Sequence, residues 1–141
     1  DAYKALLRKI DHISIYVLIS GTYTPICTSV LKDSHGILIF SIVWSLTLIG
    51  LILKLIFTGR FEKISLLLYL IMGWLIIIDI DVFYQNVDAV TLWFLGLGGF
   101  FYTTGILFYV MHNLKYHHVI WHIFVLLGSF FHYLMVLRVI T

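Results

Sequence analysis

The sequence predicts an all-α integral membrane protein, a single membrane domain over residues 1–141 that carries five transmembrane helices. Three observations predict it. Of the 141 residues, 62% are hydrophobic and only 11% charged, against about 45–50% and about 25% in a soluble domain. So little charge cannot cover a water-facing surface. Five apolar stretches are each long enough to cross a hydrocarbon core of about 30 Å, which takes about 20 residues at about 1.5 Å rise. The connectors between them are short and polar.

The stretches run 10–31, 36–57, 64–82, 89–111 and 117–140. Backbone in lipid must satisfy its own hydrogen bonds, so each is expected to be helical. The runs are too long and too continuously apolar for barrel strands, which alternate over about ten residues. The first contains Pro25, expected to kink it, and the one cysteine, Cys27, expected to be a buried small hydrophobe without a disulfide. The second carries Lys54 and the fifth Arg138, both near helix ends, where long side chains reach the interface. Asp79 and Asp81 close the third and are expected to be interfacial. Gly96, Gly98, Gly99 and Gly105 of the fourth are expected to let helices pack closely. They form no dinucleotide loop, because no strand precedes them.

The formal net charge of +2 is small, and nothing in it points to nucleic acid. Its distribution is informative. Lys4, Arg8, Lys9, Arg60, Lys63 and Lys115 fall on one side of the expected topology, and only Lys32 and Arg138 on the other. The positive-inside rule then places the N-terminus in the cytoplasm and the C-terminus outside, with the plasma membrane as the expected location. No cleavable signal is visible at Asp1-Ala2-Tyr3-Lys4. An odd number of helices, opening on basic residues and without an initiator methionine, is expected of a chain that enters in mid-topology as part of a longer product.

Ionisable groups inside a spanning helix are expensive and are functional candidates by default. His118 and His122 stand out. Their spacing, His-Val-Ile-Trp-His, sets two imidazoles on one helix face about a turn apart. Both can then bind one metal ion at about 2.0–2.1 Å per nitrogen, though catalytic zinc usually takes three protein ligands. His117 points elsewhere, at the mouth of the helix. The topology brings Asp11 and His12, which open the first stretch, to the same membrane depth as this pair. Asp11 can orient an imidazole, accept a proton from bound water or ligate directly. A buried Asp–His hydrogen bond fastening the first helix to the last satisfies the same pattern. His132 lies about 15 Å further along the axis than His122 and is expected to pack. The His118–His132 gap would suit haem only with a matching second pair, which no other segment supplies.

The segments Arg8-Lys9-Ile10-Asp11-His12-Ile13-Ser14-Ile15-Tyr16 and Gly21-Thr22-Tyr23-Thr24-Pro25 closely resemble the third-helix signature of the hemolysin III family. Tyr116-His117-His118-Val119-Ile120-Trp121-His122, with Gly128-Ser129 and His132, resembles that family's last helix, and Tyr69-Leu70-Ile71-Met72-Gly73-Trp74 its fifth. The hemolysin III proteins belong with the progestin and adipoQ receptor superfamily, related in turn to alkaline ceramidases. The resemblance implies five helices of a seven-helix bundle with a zinc ion near the cytoplasmic face. It implies that His118 and His122 ligate zinc and that Asp11 lies near the zinc-bound water. It also implies a third ligand, a histidine in a Ser-x-x-x-His motif on an earlier helix that these residues do not include.

The function expected from these readings is zinc-dependent hydrolysis of an amide bond in a membrane lipid, with the bilayer and a lipid substrate as partners. Two rivals stand beside it: a pore-forming, cytolytic protein, and a non-catalytic regulator of membrane lipid homeostasis. A pore needs a polar path across the bilayer, and the one polar stripe is Ser20, Thr22, Thr24 and Thr28. Imidazole with carboxylate also suits iron and other first-row ions.

Overall fold

In the computed structural model, residues 2–57 and 61–141 are described. Residues 58–60 lie outside them, and with them Arg60 of the basic second connector. Among the described residues all regular structure is helical. The helices are α1 (Ala2–Thr28), α2 (Gly36–Ile56), α3 (Glu62–Gly73), α4 (Ile80–Asn86), α5 (Ala89–Val110) and α6 (His117–Ile140), with a 3-10 turn, Leu75–Asp79, between α3 and α4. Four spans, Gly36–Ile56, Glu62–Asn86, Ala89–Val110 and His117–Ile140, are long and apolar enough to cross a membrane. The chain is an all-α, multi-pass membrane protein.

One expectation is met in length though not in apolarity, and another changes. α1 has 27 residues and so the length to span, but it is not among those four apolar spans. Asp11, His12, Ser14, Ser20, Thr22 and Thr24 dilute its apolar content. The third stretch, read as one helix over 64–82, is interrupted after Gly73. Glycine and the β-branched run Ile76-Ile77-Ile78 are weak helix formers. The Tyr23 hydroxyl fills the gap, donating to the Gly73 carbonyl at 3.0 Å and accepting from the Ile76 N–H at 2.9 Å. A broken helix in an apolar setting requires such a substitute partner.

The chain forms two compact units, Asp1–Asp79 and Ile80–Thr141. In the first, α1 packs along α2. The Tyr16 ring lies against Gly50, where a side chain would collide with it. The Ser20 and Thr47 hydroxyls meet between the helices, and Trp44 Nε1 donates to Thr24 Oγ1 at 3.2 Å. Cys27 is buried and unpaired with another cysteine, as expected. Asp79 is buried, at 4% exposure, against the connector that precedes α2. It accepts from the His35 N–H at 2.8 Å, from His35 Nδ1 at 2.8 Å and from Ser34 Oγ at 3.0 Å, closing the α1–α2 turn. Asp81 is exposed. Lys54 does not extend into solvent. Its ammonium is buried, 3.3 Å from the Glu62 carboxylate at the start of α3.

In the second unit α5 and α6 form an antiparallel hairpin, zipped by aromatic pairs such as Phe101–Phe131 at 5.5 Å and Phe108–Phe124 at 4.9 Å. Tyr102 Oη and Ser129 Oγ hydrogen-bond at 2.8 Å. Of the glycines expected at close contacts, Gly98 and Gly105 do face the neighbouring helix, while Gly96 and Gly99 meet nothing. A side chain at Gly98 would strike the imidazole of His132, which sits against the Leu95 carbonyl at 3.4 Å. His132 is therefore a packing residue. Overpacking of this kind costs about 1–3 kcal/mol. Gly98→Ala is accordingly expected to lower the thermal midpoint in detergent, and Gly96→Ala to leave it unchanged or raise it through helix propensity. Equal midpoints would remove His132 from the hairpin contact.

The far end of the hairpin is held by Asp88, which caps α5 by accepting from the Thr91 N–H at 3.0 Å and is paired with the guanidinium of Arg138. The hydrogen bond from Arg138, then those from Thr91, hold its carboxyl down at about 2, below the ordinary 3.8. A carboxylate with a depressed folded-state pKa adds stability above its unfolded pKa and loses it as pH falls through the folded value. The hairpin is expected to lose this contribution between about pH 4 and about pH 2. Asp88→Asn should flatten the thermal midpoint over that window, and an unchanged acid slope would show the pair idle.

Candidate metal centre

The α5–α6 connector ends at Tyr116, a non-glycine residue in left-handed backbone at φ 65°. Such a conformation costs energy and persists only where surrounding contacts impose it. Here it turns the chain so that α6 starts with His117 beside the end of α5, and His117 Nδ1 reaches the Tyr109 carbonyl at 3.1 Å. Each helical step then fixes the next side chains. His118 and His122, one turn apart on α6, bring their Nε2 atoms to 2.9 Å, with ring centroids 4.7 Å apart. The spacing therefore does what the sequence implied within this unit.

Aromatic rings wall the pair. Trp121 is buried and stands 5.3 Å from His118 and 4.6 Å from His122, centroid to centroid. Tyr109 of α5, also buried, packs on Trp121 at 4.7 Å and on His118 at 5.7 Å. Both imidazoles are half-buried. A hydrogen bond at 2.9 Å has one Nε2 donating and the other accepting, the roles being set by which ring carries the proton. A metal ion can replace that proton. Ligand nitrogens on a tetrahedral zinc stand roughly 3.3 Å apart, given about 2.0–2.1 Å bonds. The observed separation is a few tenths shorter, within reach of small ring rotations. Two neutral imidazoles suit zinc and other first-row ions, so the residues fit a metal, one ligand short of the usual set.

Asp11 belongs to the first unit, on α1, half-buried. Its neighbour His12 is buried and acts as an anchor: Tyr69 Oη donates to its carbonyl at 2.8 Å, and its Nδ1 lies 3.5 Å from Glu62 Oε2. Glu62 also faces Lys54 at 3.3 Å and Arg8 at 3.7 Å. This acid-centred cluster sets the turn that carries Asp11. Sequence reasoning missed it because Glu62 lies in a connector, and nothing in spacing links it to α1 or to Lys54.

A family model described as haemolysin-III related matches residues 1–133. Over 126 residues the chain is 45% identical to a "Hemolysin-3 homolog" of Bacillus subtilis (strain 168), covering 89% of this chain and 59% of that protein. Over 124 residues it is 43% identical to "Hemolysin-3" of Bacillus cereus, covering 88% of this chain and 57% of that protein. The chain thus spans less than two thirds of the length of either relative. No solved structure matches it.

Proposed function

The chain belongs to the haemolysin-III-related family, and from that premise we propose that it is part of a zinc-dependent hydrolase of amide bonds in membrane lipids. The observation that carries the reading is the pair of imidazole nitrogens 2.9 Å apart on one face of α6. His118 and His122 hold the ion through Nε2. Tyr109 and Trp121 shield the pair from water on one side and keep the rings aligned. Bound zinc supplies a Lewis acid for the carbonyl and lowers the pKa of its water toward about 7. Asp11, through a carboxylate oxygen, takes up the proton of the attacking water or orients an imidazole. Its assignment to this site rests on the sequence resemblance and on the membrane depth expected from the topology. The third ligand expected from the resemblance is not among these 141 residues.

The same reading places the protein in the plasma membrane with Lys4, Arg8, Lys9 and Lys115 toward the cytoplasm, so the site opens on the inner leaflet. The test uses the full-length protein in detergent with N-acylated lipids as substrates. Chelation should stop hydrolysis and added zinc restore it. Hydrolysis indifferent to chelation, or none with zinc bound, would sink the reading; the latter outcome would leave the non-catalytic regulator.

The names of the two Bacillus proteins favour a second reading, membrane lysis. Against it, the polar stripe of α1 is spent internally. Thr22, Thr24 and Thr28 each bond a carbonyl one turn back in their own helix, and Ser20 meets Thr47. Dye release from vesicles that survives loss of both His118 and His122 would support lysis.

A further inference from the structure

We propose that His112 and His117 form a second site for a divalent transition-metal ion, at the mouth of the α5–α6 hairpin. A role for this site in feeding His118 and His122 rests on the function proposed above; the site itself does not. Three observations carry it. His117 is oriented as metal-binding histidines are. Its Nδ1 donates to the Tyr109 carbonyl at 3.1 Å, which fixes the tautomer and leaves the Nε2 lone pair as the ligand. The strained backbone of Tyr116, at φ 65°, holds it in that position.

Second, the exposed ring of His112 stands 5.2 Å from that of His117, centroid to centroid, at 88°. Two imidazoles on one tetrahedral ion, at about 2.0–2.1 Å per bond, have centroids roughly 5 Å apart. The rings stand edge to face, and rotation of the exposed His112 side chain about its own bonds is the movement that would turn a nitrogen toward His117 Nε2. Third, the rings continue inward. His117 and His118 are 6.4 Å apart and His118 and His122 4.7 Å. Four histidines thus run from solvent to the aromatic-walled pair. The connector's cation, Lys115, is held over the Tyr116 ring at 5.0 Å.

Two imidazoles, completed by water, make a weaker and faster-exchanging site than a three-ligand centre. Such a site captures an ion from solution and passes it on by exchange of one ligand at a time. Neutral nitrogen donors select zinc(II), nickel(II) or copper(II) over magnesium and calcium.

The experiment is equilibrium dialysis of the full-length protein against zinc alone, with circular dichroism to confirm helicity. The His118→Asn/His122→Asn variant should keep one weakly bound zinc per chain, lost on adding His112→Asn and His117→Asn. The His112→Asn/His117→Asn variant should keep the tight zinc and take several-fold longer to reload after chelation. A helical His118→Asn/His122→Asn variant that binds no zinc, or weak binding that survives loss of His112 and His117, would overturn the second site. An unchanged reloading rate would overturn its feeding role. Absence of tight zinc from the wild type, with the weak ion present, would instead count against the proposed hydrolase centre alone.

Discussion

Replacing His122 with alanine is expected to remove the tightly bound zinc from the full-length protein and to abolish lipid-amide hydrolysis. The two Nε2 atoms face each other at 2.9 Å, and alanine leaves a single imidazole from α6 facing the ion. Loss of mere supporting partners around a metal lowers affinity or activity about 10–100-fold; loss of a direct ligand should exceed that. His118→Ala should behave alike, since both nitrogens serve one ion. His132→Ala is the informative contrast. That ring packs against Gly98 and Tyr102 at the other end of the hairpin, so its loss should leave metal content intact while lowering the thermal midpoint. Elemental analysis beside thermal unfolding separates the two. A His122→Ala protein still holding one tight zinc per chain would end the assignment.

The second large effect is on stability. Glu62→Gln removes the carboxylate toward which Lys54, His12 and Arg8 converge, at 3.3, 3.5 and 3.7 Å. Lys54 is buried at 4% side-chain exposure, whereas Glu62 keeps 24%. Breaking a buried ion pair by deleting one partner costs about 3–5 kcal/mol; with Glu62 partly wetted, the lower end, about 3 kcal/mol, is expected. The reverse change should be milder. Lys54→Met leaves Glu62 with Arg8 and His12 and with water, so it should cost clearly less than Glu62→Gln. The double variant Lys54→Met/Glu62→Gln should recover part of the loss, because it leaves neither charge of the pair behind. Chemical denaturation in mild detergent measures all three. Equal losses for the two single variants, or none, would show that Glu62 is a surface carboxylate without a buried charge to balance.

Much of the chain was legible in its sequence. The α2, α5 and α6 spans lie where the apolar runs predicted them, within a residue or so. A bilayer imposes length and apolarity together, and no other solution satisfies 20-odd residues of unpaired backbone. The facing of His118 and His122 was legible for a similar reason. Residues four apart on a helix share a face whatever surrounds them, and α6 is unbroken through both.

Where the reading failed, a partner distant in sequence had intervened. The break after Gly73 needs Tyr23, fifty residues earlier, to satisfy the Gly73 carbonyl and the Ile76 N–H. The Lys54 ammonium, expected to extend from the helix end, is instead buried against Glu62 of α3. The burial of Asp79 needs Ser34 and His35, more than forty residues earlier, to donate to its carboxylate. Four glycines looked alike in the sequence, yet only Gly98 and Gly105 face a neighbour, because a helix shows one side at a time to its partner.

By itself, then, the sequence determined class, spans and the two histidines on one face, since each follows from local geometry and from the free energy of placing a residue in lipid. Tertiary structure alone decided which polar groups are buried, which partner neutralises each, and how Tyr116 and Tyr109 aim His117. Those outcomes depend on atoms brought within about 3–4 Å by packing, a distance that carries no trace in residue spacing along the chain.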